Sequence, residues 1–205
     1  MAAIFTERER RPFEKAVAVT VGIENLEKDK IGAGVIINRA GLVLTAEHVI
    51  KGAINFCVKR YRLPKTFWLP QQCASDEASL LDADPTADIA LVKLRHSPTN
   101  IRPARLGRSS ELKVGMPLRR IGRDDNPLMT GHLLKFYQEK NLPWFEVSMV
   151  EGEGGSGGPI FNLKGEVVGL MLMGATSEIG KVYALEIDFI KSWLRHRLRC
   201  LTEIP

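Results

Sequence analysis

Cysteine is nearly missing from this sequence. Its 205 residues include three, Cys57, Cys73 and Cys200, and no two form a C-x-x-C pair. That excludes a disulfide scaffold, and the odd count suits a reducing compartment with at most one bridge. Histidine is sparse too. His48, His96, His132 and His196 lack metal-ligand spacing, so neither a metal nor a cofactor is expected. No apolar run is long enough to cross a bilayer. The first eleven residues, MAAIFTERERR, lack the apolar stretch of a signal peptide, and Glu7 and Glu9 do not fit an acid-poor transit peptide. These absences predict a soluble, cytoplasmic protein. There is no fixed-period repeat and no low-complexity segment.

The remainder has the composition of an ordinary globular domain, long enough to bury a core without staples. Lysine plus arginine exceed aspartate plus glutamate by 29 − 24, a net charge of +5. That excess is too small to imply a nucleic-acid partner. The stretch 59–68, KRYRLPKTFW, mixes cations with aromatics as a nucleic-acid patch does. It fits better as an exposed hairpin with Phe67 and Trp68 turned inward.

Short runs rich in Val, Ile and Leu alternate with turn residues. Strands are expected at 16–21, 31–37, 41–45, 54–60, 78–84 and 88–94. A second set follows at 117–121, 129–136, 144–149, 159–162, 166–173 and 181–186. Six short strands per half predict an all-β sandwich or barrel. Only the C-terminus reads as helix. Ile190, Trp193, Leu194 and Leu198 share one face, and Asp188 is placed to cap it. The expected division is an extension at 1–15, a first half at 16–100, a linker at 101–111, a second half at 112–187 and a helical tail at 188–205.

The most informative string is Gly154-Gly155-Ser156-Gly157-Gly158-Pro159. Glycines around a serine permit a tight turn, an exposed hydroxyl and backbone N–H groups that converge on an anion. A nucleophile elbow would need a helix after Ser156 and a catalytic histidine further on. A strand and turn follow instead, and His196 lies in the terminal helix. A phosphate loop would need a Gly-Lys-Ser/Thr ending, which is absent. Upstream, Leu44-Thr45-Ala46-Glu47-His48-Val49 sets His48 just after a strand. Thr86-Ala87-Asp88-Ile89-Ala90-Leu91 sets Asp88 at the start of another. The order His48, Asp88, Ser156 is neither the hydrolase nor the subtilisin order.

These strings resemble the chymotrypsin-fold serine proteases, and most closely the HtrA/DegP-like branch. Gly32-Ala33-Gly34-Val35-Ile36-Ile37, Leu44-Thr45-Ala46-Glu47-His48-Val49, Asp88-Ile89-Ala90-Leu91 and Gly155-Ser156-Gly157-Gly158-Pro159 carry the likeness, over roughly residues 16–200. The resemblance implies two packed six-stranded antiparallel β-barrels with the site in the cleft between them, and a C-terminal helix. It implies a serine endopeptidase with His48 as base, Asp88 as its orienting partner and Ser156 as nucleophile. The N–H groups of Gly154 and Ser156, with Gly155, would receive the oxyanion. Leu172, Met173 and Gly174 would pair with substrate backbone, and Val150, Leu172 and Tyr183 would border the first specificity pocket.

With Val150 rather than an aspartate at the pocket floor, an apolar P1 residue is expected. Glu151 and Glu153 either enter that pocket and favour a basic residue or stay exposed. One departure stands out. Trypsin-like enzymes carry Asp, and the HtrA-like branch usually Asn, just before the serine; here it is Gly155. Activation through a buried ion pair at that position is not expected. The neighbouring glycines also leave open a binding or regulatory module, inactive until a partner or substrate orders the loop. The expected partner is a peptide or protein substrate. Phe5 and Phe13 either pack between subunits of a homo-oligomer or cap the first barrel. No PDZ domain, typical of the HtrA-like branch, is expected after the protease-like part.

Overall fold

The computed structural model describes residues 7–25, 27–28, 30–53, 56–60, 76–96, 102–121, 128–149, 154–174 and 180–202. It opens with a helix where a strand was expected. Helix α1 spans Glu7–Val19, and strand β1 begins only at Thr20. The apolar run at 16–21 fits both periods. Burial of Phe13, Ala16, Val17 and Thr20, at i, i+3, i+4 and i+7, gives it to the helix. At the junction Thr20 Oγ1 donates to Ala16 O (2.8 Å).

The first barrel contains β1 (Thr20–Asn25), β2 (Lys30–Ile36), β3 (Leu42–Ala46), β4 (Phe56–Arg60), β5 (Asp76–Asp84) and β6 (Ile89–Leu94). They close in the order β1-β2-β3-β6-β5-β4. The second contains β7 (Pro117–Ile121), β8 (Leu128–Glu139), β9 (Leu142–Ser148), β10 (Pro159–Phe161), β11 (Val167–Gly174) and β12 (Lys181–Glu186). These close as β10-β11-β12-β9-β8-β7. Closure removes the sheet edges that would otherwise invite pairing with other chains. Among the described residues the strand pairs within both barrels are antiparallel, so the expected double barrel is present. A short helix α2 (Glu47–Ile50) follows β3, and helix α3 (Ile187–Thr202) ends the described chain.

Several of the described segments join the barrels. The stretch after β6 runs between them: Ala104 N–H donates to Ile36 O in the first (2.9 Å), and Gly107 N–H donates to Val167 O in the second (2.8 Å). Helix α1 leads into the first barrel but lies on the second. Pro12, Phe13 and Ala16 share a small cavity with Ile121, Leu128 and Phe161. Burying one phenylalanine there is worth roughly 2–3 kcal/mol. Phe13 therefore packs within its own chain; Phe5 is outside the described residues.

Helix α3 buries Ile190, Trp193 and Leu194 as expected. It starts at Ile187, one residue before the expected cap. Asp188 in its first turn instead receives Ser110 N–H (2.9 Å) and Lys191 Nζ (2.7 Å). Arg197 reaches Asp82 on β5 (3.3 Å), tying the helix to the first barrel.

Candidate active site

Strand β3 is buried at all five positions and pairs with β6 so that Ala46 faces Ile89. That register brings the residue after β3's end beside the residue before β6. Glu47 N–H donates to Asp88 O (3.1 Å), and His48 N–H donates to Asp88 Oδ1 (2.9 Å). The second carboxylate oxygen, Oδ2, lies 2.7 Å from His48 Nδ1. One aspartate thus holds both the backbone and the ring of the histidine. A carboxylate only accepts, so Nδ1 carries the hydrogen and Nε2 is left as the basic nitrogen. The pair sits at the surface of a cleft, with side chains 39% and 28% exposed.

Asp88 adopts φ +54°, the left-handed region, which aspartate tolerates better than most residues. The turn before it is held by Asp84, whose Oδ1 accepts from Thr86 N–H (3.0 Å) and Ala87 N–H (3.1 Å). Strain of this kind persists only where surrounding bonds impose it.

The loop carrying Ser156 comes against the first barrel through its backbone, and among the described residues no hydrogen bond joins the Ser156 hydroxyl to His48. Ala33 N–H on β2 donates to Ser156 O (2.8 Å), and Gly157 N–H donates to Met171 O (2.7 Å). Met171 N–H in turn donates to Gly158 O (2.8 Å), and Gly158 N–H to Gly155 O (3.0 Å). Gly157 has φ +82°. A Cβ there would stand 2.4 Å from Ala33 O, 2.5 Å from Thr45 Oγ1 and 2.7 Å from Ala46 N. Only glycine lets the loop lie this close to the strand end that leads to His48. Opposite, Gly32 is pressed between Val49, the residue after His48, and Ser156 O.

Arg120 was not anticipated. It lies on β7, 3% exposed, with its guanidinium beneath Gly155. The signal was there to be read: in an alternating strand, Arg120 shares the inward face with Leu118.

The expected substrate-binding residues divide. Val150, Glu151, Gly152 and Glu153 lie outside the described residues, as do residues 61–68 of the cationic stretch. Leu172 is 1% exposed and belongs to the core shared with the first barrel. Met173 and Gly174 pair with Tyr183 and Val182 of β12. On their other side, among the described residues, β10 pairs with β11 only as far as Leu170. Tyr183 is half-buried, its ring edge-on to Tyr137 at 6.2 Å. Gly154, at φ +74°, and Gly155 lead directly into the serine turn. Among the described residues, no three His, Cys, Asp or Glu side chains cluster as a metal site would require. No described helix is long and apolar enough to cross a membrane.

A further group lies apart from this site. Glu146 on β9 is 2% exposed and held between Lys135 Nζ and Lys181 Nζ, both at 3.1 Å. Burial raises its pKa, but hydrogen bonds and charge from the two lysines outweigh that, and the net displacement is downward. Asp188 is shifted the same way. Burial raises its pKa, and bonds from Lys191 and Ser110 bring it down to about 2.

Comparison with known proteins agrees with this architecture. The family model described as trypsin-like peptidase domain matches residues 32–170. A probable periplasmic serine endoprotease, DegP-like, of Ectopseudomonas mendocina is 36% identical over 151 residues, covering 70% of this chain and 29% of that protein. A namesake from Pseudomonas savastanoi is 30% identical over 194 residues, covering 90% of this chain and 38% of the relative. The chain thus spans little more than a third of the length of such relatives. Their names also overturn the cytoplasmic expectation, since they are called periplasmic. Lack of an apolar N-terminal run was not a sound basis for assigning a compartment. Because the matched segment takes in most of both barrels and runs from β2 through His48, Asp88 and Ser156 into β11, the chain belongs to the trypsin-like peptidase domain family.

Proposed function

We propose that this chain is a serine endopeptidase that cleaves protein substrates through an acyl-enzyme. The observation that carries the reading is the double hold of Asp88 on His48, at 2.7 and 2.9 Å, beside a serine loop bonded to β2 through Ala33. In this mechanism His48 Nε2 takes the proton of Ser156 Oγ as the oxygen attacks the substrate carbonyl carbon. Asp88 keeps the ring in the correct tautomer and stabilises the imidazolium. Negative charge forms on the carbonyl oxygen and is received by N–H groups of Gly154, Gly155 and Ser156. Collapse breaks the C–N bond, and His48 returns the proton to the leaving amine. Water then repeats the sequence on the ester, freeing the acid and Ser156.

The edge of β11 beyond Met171 supports pairing of substrate backbone with Met173 and Gly174 as an added strand. Val150 supports an apolar P1 preference. The relatives' names support a periplasmic workplace.

Fluorophosphonate labelling read by intact mass tests the assignment on wild type, Ser156→Ala and His48→Ala. One adduct on wild type and none on either variant is expected. A wild type that stays unlabelled overturns the reading as an autonomous protease. If labelling then appears only on adding peptide, the chain is a regulated module whose loop is ordered by its ligand.

A further inference from the structure

Gly155 stands where the family pattern places an Asp or Asn side chain, and the structure accounts for the substitution. An ideal Cβ on Gly155 would lie 2.5 Å from Arg120 Nη2, 2.7 Å from Arg120 Nη1 and 2.6 Å from Met171 Cε. All three are closer than real Cβ atoms come to their neighbours. The space next to the residue before Ser156 is already filled, from below, by an arginine.

That arginine is in an unexpected place. β7 sends Leu118 and Arg120 into the second barrel, whose interior is otherwise Leu133, Phe145, Val147, Ile160, Val168 and similar residues. Guanidinium is charged at any accessible pH, and taking it out of water carries a heavy desolvation cost. Its Nη1 donates to Met171 Sδ (3.2 Å). Met171 is also the residue whose backbone binds both Gly157 and Gly158. Arg120 and Met171 together therefore form a platform. The side chains of both meet Gly155, and the backbone of one meets the two glycines after the serine.

We propose that Arg120 is a positioning residue for the oxyanion-binding turn, acting as a substitute, supplied by β7, for the side chain that position 155 lacks. This rests on the protease reading above. Without a Cβ, Gly155 has wide backbone freedom. Contact with a planar, buried guanidinium restricts it, holding the N–H groups of residues 154–156 where charge develops. Positions 120 and 155 are thus coupled: a side chain at 155 would displace the guanidinium and the Met171 methyl from beneath the turn.

Coupling makes the test sharp. Arg120→Met keeps most of the volume and removes the fork and the charge. Removing one member of a buried charge interaction can cost stability, so urea unfolding is run beside the kinetics and rates are compared where each variant is fully folded. In the folded variant kcat and the fluorophosphonate labelling rate should fall about 10²–10³-fold, the loss typical of one oxyanion donor. KM should change less than about threefold, because the contact acts on the transition state. Gly155→Asn alone should also lower the labelling rate, because the new side chain displaces the Arg120 guanidinium from beneath the turn. Arg120→Ala combined with Gly155→Asn should recover to within about tenfold of wild type, a strong departure from additivity.

Amide hydrogen exchange at residues 154–158 gives a readout independent of turnover. It should speed up about tenfold or more in Arg120→Met, with the first barrel unchanged. Wild-type labelling and exchange rates in Arg120→Met, or a double variant no better than the singles, would overturn the proposal. A wild type that never labels would instead refute the protease reading. The exchange measurement would still decide whether Arg120 orders the turn.

Discussion

Replacing Asp88 by asparagine separates the two bonds this residue makes. Asn has the same shape and tolerates the φ of +54° that Asp88 adopts, so the backbone has no reason to move. The side chain can still accept from His48 N–H through its single oxygen, keeping the 2.9 Å bond. Its NH₂ group then faces His48 Nδ1, where the carboxylate oxygen stood at 2.7 Å. Two donors cannot share that contact. The ring must present a lone pair at Nδ1, which moves its hydrogen to Nε2, and a protonated Nε2 cannot take the proton of Ser156.

A wrong tautomer in such a triad lowers kcat by roughly 10³–10⁴. That corresponds to about 4–5.5 kcal/mol of barrier. Stability should fall by only about 1 kcal/mol, because one charge-assisted bond is lost at a partly exposed site. The assay is single-turnover acylation by a fluorophosphonate, run beside urea unfolding of the same preparation. Acylation within threefold of wild type would show that the Asp88–His48 contact does not set the ring, and the mechanism proposed above would fail.

Three further changes probe how the site is built and what surrounds it. Gly157→Ala should cost about 3 kcal/mol or more, from the left-handed φ and a Cβ pressed on backbone atoms of Ala33 and Ala46; an unchanged urea midpoint would mean the serine turn is not docked on the first barrel. Glu146→Gln should cost about 1–2 kcal/mol near neutrality, since it leaves two lysines that can rehydrate. The folded pKa of Glu146 is lowered, so its contribution is present above the ordinary carboxylate range and lost as pH falls. Unfolding curves of wild type and variant should therefore converge in acid, and a gap that persists there would contradict the assignment. Asp188→Asn follows the same sign. With a folded pKa of about 2, the carboxylate stabilises above about pH 4 and fades toward pH 2. Screening at this one-third exposed side chain holds the effect to about 1 kcal/mol, measured as the difference in midpoint between about pH 6 and about pH 2.

The strands were legible because each is specified locally. Alternation and punctuation placed β7 and β12 at the observed bounds and β2, β3 and β6 within a residue. The expected 129–136 strand was too short because the hairpin turns at Lys140-Asn141. Both residues have positive φ, with no glycine to mark the turn. Helix α1 was missed because 16–21 reads equally well at either period, and the docking surface that decides lies on the other barrel. The candidate triad residues were named from three strings in one order. The contacts around them were not legible: Gly157 against Ala33 and Thr45, and Arg120 beneath Gly155, are contacts between segments far apart in the chain. No local pattern records them, although the departure at Gly155 marked the place.

Helix α1 has a consequence for the order of synthesis. Pro12 meets the turn at Gly165, and Phe13 lies against strands of the second barrel. A nascent chain therefore carries its first helix without a docking surface until residues beyond Gly165 have emerged. The contact is of high order and closes late. The same is true of Ala33 and Ser156. On the function proposed above, a half-made molecule would hold His48 and Asp88 before Ser156 could join them.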